Sequence, residues 1–239
     1  HVESAIDSES SPMLGEDAGE LAGVGHIGIP VSAEIGERVD VVIDYSVPAA
    51  AVKVARVCGE RKIPLVSATT GLDDDQRKIL LEAAQLTPVV IAPNTSLAVN
   101  LTMKLVREAA RVLKNVPSGV DVEVIERHHR YKEDAPSGTA KLLGEAAATG
   151  RSIDLSENTE SGRDGITGAR AKGAIGFAAL RGGSVAGDHS VILASDEERI
   201  EFTHRAENRM IFARGAVKAA GWLVGQSAGR YGMDGVLGF

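Results

Sequence analysis

A segment in the middle of the chain brings together side chains that can move a proton and hold an anion. In residues 123–140, which read EVIERHHRYKEDAPSGTA, the adjacent His128 and His129 are followed by Lys132 and then by a Pro-Ser-Gly-Thr sequence. A histidine has a reference pKa near ~6.5 and can donate a proton around neutrality, while a lysine adds a full positive charge. The spacing predicts a site for an anionic substrate that must also be protonated.

The Pro-Ser-Gly-Thr sequence predicts the start of a helix. The hydroxyl groups of Ser137 and Thr139, with the unpaired N–H groups at the positive end of that helix, would form a pocket for a carboxylate or a phosphate. The two side chains could instead serve only as helix caps. Neither a Cys-x-x-Cys sequence nor a further histidine at helical spacing accompanies His128 and His129, so we expect no metal at this site.

The composition excludes several classes of function. Of the 239 residues, 44% are hydrophobic and 25% are charged, as in an ordinary globular protein. Lys plus Arg number 26 and Asp plus Glu 33, and the resulting net charge of −7 gives no general basis for binding nucleic acid. No apolar run approaches the ~20 residues that cross a bilayer. We therefore expect a cytoplasmic protein without membrane or nucleic-acid partners, and we expect its single cysteine, Cys58, to be a buried apolar side chain rather than a reactive thiol.

Strand and helix patterns alternate in the first part of the chain. Buried-strand patterns at 40–46, 63–71 and 87–94 are separated by helical patterns at 48–60 and 73–85. This alternation predicts an α/β fold with a doubly wound, Rossmann-like parallel sheet, in which ligands bind at the carboxyl ends of the strands.

The pattern changes after a predicted helix at 99–113. Strand patterns at 121–126, 173–183, 189–195 and 199–205, a helix at 141–150 and a mobile loop at 158–172 predict a second, α+β domain with a mixed or antiparallel sheet. A closing helix at 208–226 is expected to return to the first domain. The predicted domains are therefore a dinucleotide-binding domain over 1–97 and 207–239, and a domain for substrate binding and oligomerisation over 98–206.

Three glycines near the amino end match a dinucleotide-binding pattern that their context does not support. Gly23, Gly25 and Gly28 spell G-x-G-x-x-G, but Pro30 follows closely and no helical pattern begins there. Since the motif needs a strand before it and a helix after it, we interpret these glycines as a surface loop. The apolar-tending run that ends at Asp7 instead resembles a second Rossmann strand, whose acid would bind a ribose hydroxyl; the alternative is a solvated carboxylate at a frayed terminus.

The segment at 123–140 resembles the signature of the dihydrodipicolinate reductase (4-hydroxy-tetrahydrodipicolinate reductase) family of bacterial lysine biosynthesis. The resemblance continues in the same order at 44–46, 68–71, 94–96, 173–177, 187–189 and 209–215. It implies an oxidoreductase that uses NADH or NADPH to reduce 4-hydroxy-tetrahydrodipicolinate to tetrahydrodipicolinate in lysine and diaminopimelate biosynthesis. It also implies a homotetramer that takes a small dicarboxylate as substrate.

The resemblance also implies a role for each matching position. His128 would be the general acid, and Lys132 its partner that stabilises charge and holds a carboxylate. The other substrate-binding residues would be His129, Ser137, Gly138, Thr139 and Thr70. The cofactor-binding residues would be Asp7, Ser46, Ala68, Thr70, Pro93, Thr95 and Arg209.

The chain departs from the family pattern at its amino end. Family members begin with a strand and a glycine-rich turn, and we expect this sequence to lack both. Ser8 stands where many relatives carry an arginine suited to a 2′-phosphate, so Asp7 with Ser8 favours NADH. Two functions follow as alternatives: a working reductase, or a truncated relative that binds a dicarboxylate and oligomerises without redox turnover.

Overall fold

The computed structural model describes all 239 residues, His1–Phe239. They form two compact units: unit 1 comprises His1–Pro93 and Ala216–Phe239, and unit 2 comprises Asn94–Gly215. The functions predicted for the two domains remain proposals. No helix combines the length and the apolar character that a membrane span requires.

The chain contains eleven strands and seven helices. The strands are β1 (Ala5–Ile6), β2 (Val31–Ser32), β3 (Val42–Asp44), β4 (Leu65–Ser67), β5 (Pro88–Ile91), β6 (Asp121–His128), β7 (Thr159–Ser161), β8 (Ile175–Arg181), β9 (Asp188–Ala194), β10 (Arg199–Arg205) and β11 (Gly229–Tyr231). The helices are α1 (Ala18–Leu21), α2 (Pro48–Arg61), α3 (Asp74–Ala84), α4 (Leu97–Leu113), α5 (Gly138–Arg151), α6 (Met210–Leu223) and α7 (Met233–Leu237).

Unit 1 is built on a four-stranded parallel sheet in the order β11-β5-β4-β3. The register places Asp44 beside Ser67 and Ser67 beside Ile91, so three strands end at the same edge. Strands β1 and β2 form a separate parallel pair. The α/β fold with a parallel sheet is confirmed, whereas the short C-terminal elements β11 and α7 were not predicted.

Local sequence signals explain where the helices of unit 1 begin. Pro48 occupies the first turn of α2. A backbone N–H at this position has no acceptor within the helix, so a proline, which lacks the N–H, costs no hydrogen bond there. Asp73 caps α3 and forms a reciprocal capping box with Gln76. Between these helices and the sheet, Cys58 is fully buried, and burial raises the pKa of its thiol to about 12. The expectation of a buried cysteine is confirmed, and a thiol whose pKa is raised by burial is a poor nucleophile.

Unit 2 contains a five-stranded mixed sheet in the order β10-β9-β6-β8-β7. Strand β6 pairs parallel with β8 and antiparallel with β9, which confirms the predicted mixed sheet. Helices α4 and α5 pack against one sheet face through a core that includes Val106, Val124, Leu143 and Ile175. Apolar burial of this kind contributes roughly 25 cal/mol per Å².

The prediction of a loop over residues 158–172 is wrong at its beginning. Residues Thr159–Ser161 form β7, which pairs parallel with β8 at the edge of the sheet. The first and last residues of this strand, Thr159 and Ser161, are exposed polar residues, so the segment lacks the apolar alternation that identifies a strand from sequence. Its pairing comes from the long-range register with Ile175–Phe177.

Candidate active site

Side chains along strand β6 alternate between the two faces of the sheet. Two polar side chains lie on the face that α4 and α5 cover. Val122 and Val124 point into the core of unit 2, and with a period of two residues Glu126 and His128 follow on the same face. Both are buried, with 1% and 8% of their surfaces exposed. The strand therefore ends in a carboxylate and an imidazole that lie beside each other.

Glu126 fixes one nitrogen of the His128 ring. Its Oε2 lies 2.6 Å from His128 Nδ1, which is a short hydrogen bond between a carboxylate and a ring N–H. The other nitrogen, Nε2, is left as the atom that can exchange a proton. A Cβ at Gly187 would lie 3.0 Å from Nε2, so a larger residue there would crowd it.

Three groups hold the buried Glu126 carboxylate. Arg181 donates Nη1 to Oε2 and Nη2 to Oε1, each at 2.7 Å, and the Ser137 amide donates to Oε1 at 3.1 Å. Burial alone would raise the pKa of Glu126, but the hydrogen bonds from Arg181, His128 and Ser137 outweigh it and lower that pKa. Glu126 is therefore ionised, and it is paired as a buried charge must be.

A second buried histidine, His189 on β9, packs edge-on against the His128 ring with 5.1 Å between ring centroids. Its Nε2 lies 3.0 Å from Ser137 Oγ, and its Nδ1 is buried without a partner. Burial first, and then the neighbouring His128, lower the pKa of His189 to about 4. His189 is thus neutral at physiological pH and can orient the Ser137 hydroxyl without adding charge.

Lys132 lies in the loop between β6 and α5 and forms an ion pair with Asp134. Lys132 Nζ donates to Asp134 Oδ1 at 2.7 Å, and this contact lowers the pKa of Asp134. The Asp134 side chain is 61% exposed. A substrate carboxylate could replace Asp134 because exposed ion pairs of this kind contribute only about 0–1 kcal/mol.

The start of α5 shows one of the two roles that the sequence left open, the helix cap, and the anion-binding role remains a prediction. Ser137 caps the helix, because its Oγ accepts from the Ala140 amide at 3.2 Å. Thr139 Oγ1 accepts from Asn94 Nδ2 at 3.0 Å and keeps its own proton for another acceptor. Gly138 is exposed, and a Cβ there would meet nothing within 4 Å. The space beside Gly138 is therefore open.

His129 follows His128 but has a different environment. It is half-buried, its amide donates to the Val185 carbonyl at 2.9 Å, and its Nδ1 is buried without a hydrogen-bond partner. A buried polar atom without a partner is costly, and the same is true of Nδ1 in His189 and His204. No cluster of three or more metal-binding side chains occurs in the structure.

In unit 1, polar side chains gather at the edge where the parallel strands end, which is where the sequence predicts cofactor-binding residues. Buried Asp44 accepts from the Ser46 amide and hydroxyl, from Ser67 Oγ at 3.1 Å and from Thr69 Oγ1 at 2.9 Å. Thr70 follows as an exposed residue, and no atom would meet a Cβ at Gly71. Asp44 thus orders the strand ends, while Thr70 faces open space.

The other predicted cofactor residues have diverse surroundings. Ala68 is buried, Pro93 and Arg209 are exposed, and Ser46 is exposed but bonded to Asp44. Thr95 is buried, with its hydroxyl donating to the Phe212 carbonyl at 2.8 Å, so its side chain is used within unit 2. These roles remain predictions.

Asp7 lies just after β1 and is exposed. Its carboxylate accepts from Ser11 Oγ and from the Ser8 amide, each at 2.7 Å. The hydrogen bond from Ser11 first, and then that from Ser8, lower the pKa of Asp7. Asp7 is an ionised carboxylate that could accept from a ribose hydroxyl.

The interpretation of the G-x-G-x-x-G match as a surface loop is confirmed, for a reason that the sequence did not reveal. Asp17 accepts hydrogen bonds from five backbone amides: those of Gly19 and Glu20 in α1, those of Ile27 and Gly28 in the matched segment, and that of Ile29 just after it. Two amides of the matched segment are thus bonded to the chain's own carboxylate, and those of Gly23 and Val24 donate to backbone carbonyls of α1.

Two family models match almost the whole chain. The model described as "Dihydrodipicolinate reductase, N-terminus" matches residues 1–95, and "Dihydrodipicolinate reductase, C-terminus" matches residues 98–237. The chain belongs to the dihydrodipicolinate reductase family.

Curated relatives agree with this assignment. A 4-hydroxy-tetrahydrodipicolinate reductase from Afipia carboxidovorans is 50% identical over 98% of this chain and 86% of its own length. One from Acinetobacter baylyi is 45% identical over the same shares. These are reductases, so the chain belongs to a family of oxidoreductases, and nothing in these comparisons supports the alternative without redox turnover.

Solved structures show the same fold. A structure titled "Dipicolinate bound Dihydrodipicolinate reductase from Paenisporosarcina sp. TG-14" matches with a TM-score of 0.68 and 20% identity, over 95% of this chain and 86% of that one. An amine dehydrogenase from Mycobacterium smegmatis matches with a TM-score of 0.53 and 12% identity over the same shares. Membership of the dihydrodipicolinate reductase family implies a nicotinamide cofactor.

Sequence reasoning missed several residues of this reductase-family site. Glu126 was part of the segment at 123–140 but received no role, although its two-residue spacing from His128 on a strand is a usable signal. Arg181, His189 and Asn94 lie far along the chain from the groups they contact, and no local spacing points to those contacts.

Proposed function

We propose that the chain reduces 4-hydroxy-tetrahydrodipicolinate to tetrahydrodipicolinate in lysine and diaminopimelate biosynthesis. The observation that carries the proposal is the buried His128, held by Glu126 at the end of β6 and followed by Lys132 and the α5 start. This arrangement occurs in a chain that is 50% identical to a reductase named for that substrate.

The side chains of unit 2 suit a dianion that must accept a proton. Lys132 would leave Asp134 to pair with one carboxylate, and the helix start with Ser137, Gly138 and Thr139 would bind the other. His129 would supply a further contact. His128 would donate the proton from Nε2 while Glu126 stabilises the ring orientation.

A bound nicotinamide would supply the hydride. The residues that would hold it in unit 1 are Asp7, Ser46, Ala68, Thr70 and Pro93, and in unit 2 Thr95 and Arg209. Thr70 would contact both the nicotinamide and the substrate.

We infer a preference for NADH over NADPH. The ionised Asp7 would accept from ribose hydroxyls and repel a 2′-phosphate, and Ser8 offers no positive charge to offset that repulsion. The ratio of kcat/KM for NADH and NADPH tests this preference, and a ratio in favour of NADPH contradicts it.

We also propose that the chain forms a homotetramer. Helices α4 and α5 cover one face of the five-stranded sheet. The opposite face carries Ile125, Leu180 and Ile192 among polar side chains, and Leu180 is 44% exposed. An uncovered sheet face with apolar residues is suited to pack against another copy.

The decisive test of the reductase function is a turnover assay with the His128→Gln variant. We expect wild-type chain to oxidise NADH or NADPH when the substrate is present. The variant should lower kcat by about 10²–10⁴-fold, as for loss of a general acid, with KM for the substrate little changed. His26→Gln is the matched control, since that side chain is 71% exposed. Equal losses in kcat and KM for His128→Gln would contradict its assigned role.

A further inference from the structure

One buried carboxylate touches three segments that form the candidate site. Glu126 contacts the imidazole of His128, the guanidinium of Arg181 and the amide of Ser137 at the start of α5. These groups lie at the ends of β6 and β8 and at the first residue before a helix. A single side chain thus links the proton donor to the anion-binding helix start.

Arg181 extends this link to the loop that carries Lys132. Its Nη2 donates to the Asp134 carbonyl at 2.6 Å, and its Nε donates to the Lys132 carbonyl at 3.3 Å. The same guanidinium holds Glu126 in a two-bond pair. The planar fork of arginine fits this bidentate geometry, which a lysine cannot reproduce.

We propose that Glu126 and Arg181 form a positioning pair for the reaction: Glu126 sets the tautomer and orientation of His128, and Arg181 fixes the loop bearing Lys132. This inference rests on the proposed reductase function for its kinetic consequences but not for its structural ones. A carboxylate that accepts from Nδ1 keeps the ring proton on that nitrogen and leaves Nε2 as the site of proton exchange.

A purely stabilising role accounts poorly for the burial of the Glu126 carboxylate, since its partner Arg181 is 21% exposed. Buried ion pairs are often no more stabilising than apolar residues of the same volume, because desolvation offsets their attraction. Glu126 nonetheless stays 1% exposed and aims one oxygen at a catalytic ring.

Strand β6 offers a matched comparison. Glu123 also pairs with arginines, accepting from Arg170 Nε at 2.8 Å and from Arg163 Nη2 at 3.2 Å, but it lies on the opposite sheet face from His128. Glu123→Gln therefore removes a carboxylate from the same strand without touching the site.

The first experiment reads the ring tautomer by NMR of protein carrying ¹⁵N-labelled histidine, at a pH where the ring of His128 is neutral. The His128 signals are assigned by their loss in His128→Gln. We expect the Nδ1–H tautomer in the wild type and in Glu123→Gln. In Glu126→Gln the side-chain oxygen of the glutamine would accept from Arg181, and its NH₂ group would donate to His128 Nδ1. Because Nδ1 then acts as an acceptor, the ring proton of His128 should move to Nε2. A wild-type ring with its proton on Nε2 overturns the proposal by itself, without any variant.

The second experiment separates kcat from KM. Glu126→Gln should lower kcat by about 10- to 100-fold, as for loss of a group that orients a functional histidine, with KM for the dicarboxylate of the same order as in the wild type. Arg181→Lys should mainly raise that KM because the Lys132 loop loses its anchor. Glu126→Asp keeps the charge and should recover part of the lost kcat together with the Nδ1–H tautomer.

Each remaining outcome decides the question. A tautomer that changes without any change in kcat overturns the positioning role, as does an unchanged tautomer in a folded Glu126→Gln variant. If Glu126→Gln does not fold, two measurements still test the proposal. A wild-type ring with its proton on Nε2 contradicts the role of Glu126, and an unchanged KM in Arg181→Lys contradicts the role of Arg181. A wild-type chain with no turnover would refute the proposed function, whereas the tautomer result would stand apart from it.

Discussion

At the scale of single residues, the site depends on histidines with different surroundings. His128 has a carboxylate on one nitrogen, whereas the His189 ring packs against His128, bonds to the Ser137 hydroxyl through Nε2 and has no partner at Nδ1. The second ring must stay neutral to remain buried, because an unpaired buried cation is strongly disfavoured. This requirement makes the stability of unit 2 dependent on pH.

We predict that His189 makes the folded protein less stable in acid. Its side chain binds a proton more readily in the unfolded chain than in the folded one, so a fall in pH favours unfolding. Its pKa is about 4 when folded and near 6.5 in the reference state, so between these values the unfolded state binds the extra proton. The free energy of unfolding should fall by up to roughly 3 kcal/mol as pH drops from about 6.5 to about 4. Above that window the contribution is fully present.

Urea unfolding at a series of pH values measures this effect. In His189→Gln the fall over that window should be smaller than in the wild type, whereas His26→Gln, which changes an exposed ring, should follow the wild-type curve. Identical curves for His189→Gln and the wild type would show that His189 is not the responsible group.

At the scale of elements, the loop that follows β1 shows how one side chain can organise a segment. Asp17 caps the four-residue helix α1 and also binds the amides of residues 27–29 on the returning chain. Burial opposes ionisation of Asp17, but the backbone hydrogen bonds outweigh it and hold its pKa at about 2. The hydrogen bonds that hold this loop therefore depend on the Asp17 carboxylate, which stays ionised down to a pH of about 2.

We predict that Asp17→Asn loosens this loop, because an amide side chain cannot accept five backbone hydrogen bonds. Hydrogen exchange at Gly19, Ile27 and Gly28 should become faster, while exchange in α2 stays as in the wild type. Glu20→Gln is the control, since Glu20 lies in the same loop with a 61% exposed side chain. Unchanged exchange in Asp17→Asn would refute the role of the carboxylate. In the wild type the protection should persist as pH falls below 3.8 and be lost near about 2.

At the scale of the whole molecule, the proposed tetramer concerns the face of the five-stranded sheet that lies opposite α4 and α5. We predict a mass near four times the chain mass of 24.9 kDa by light scattering after size exclusion. Ile192→Lys places a charge on that face and should shift the mass to smaller species because a buried lysine would be unpaired.

Val112→Lys is the matched control for the tetramer prediction. Val112 is 63% exposed on α4, away from the uncovered sheet face, and its replacement should leave the mass unchanged. A wild-type mass equal to one chain would refute the tetramer. Equal effects of both substitutions would point to a general loss of stability instead.

Features that depend on residues close together in the chain can be predicted without the structure. The strand and helix patterns of both units, Pro48 and Asp73 at helix starts and the capping Ser137 follow from periodicity and local hydrogen bonding. The segment at 123–140 was likewise readable, because His128, Lys132 and the α5 start lie within a few residues of one another.

The contacts between groups that are distant in the chain become visible only in the folded protein. Glu126 and Arg181 are 55 residues apart, Ser137 and His189 are 52 apart, and Asn94 and Thr139 are 45 apart. These contacts depend on the register of β6 with its neighbours β8 and β9 and on how α4 and α5 pack, which is set by burial of the whole core. Side-chain chemistry could therefore be predicted from the sequence, whereas the partners that orient it required the assembled sheet.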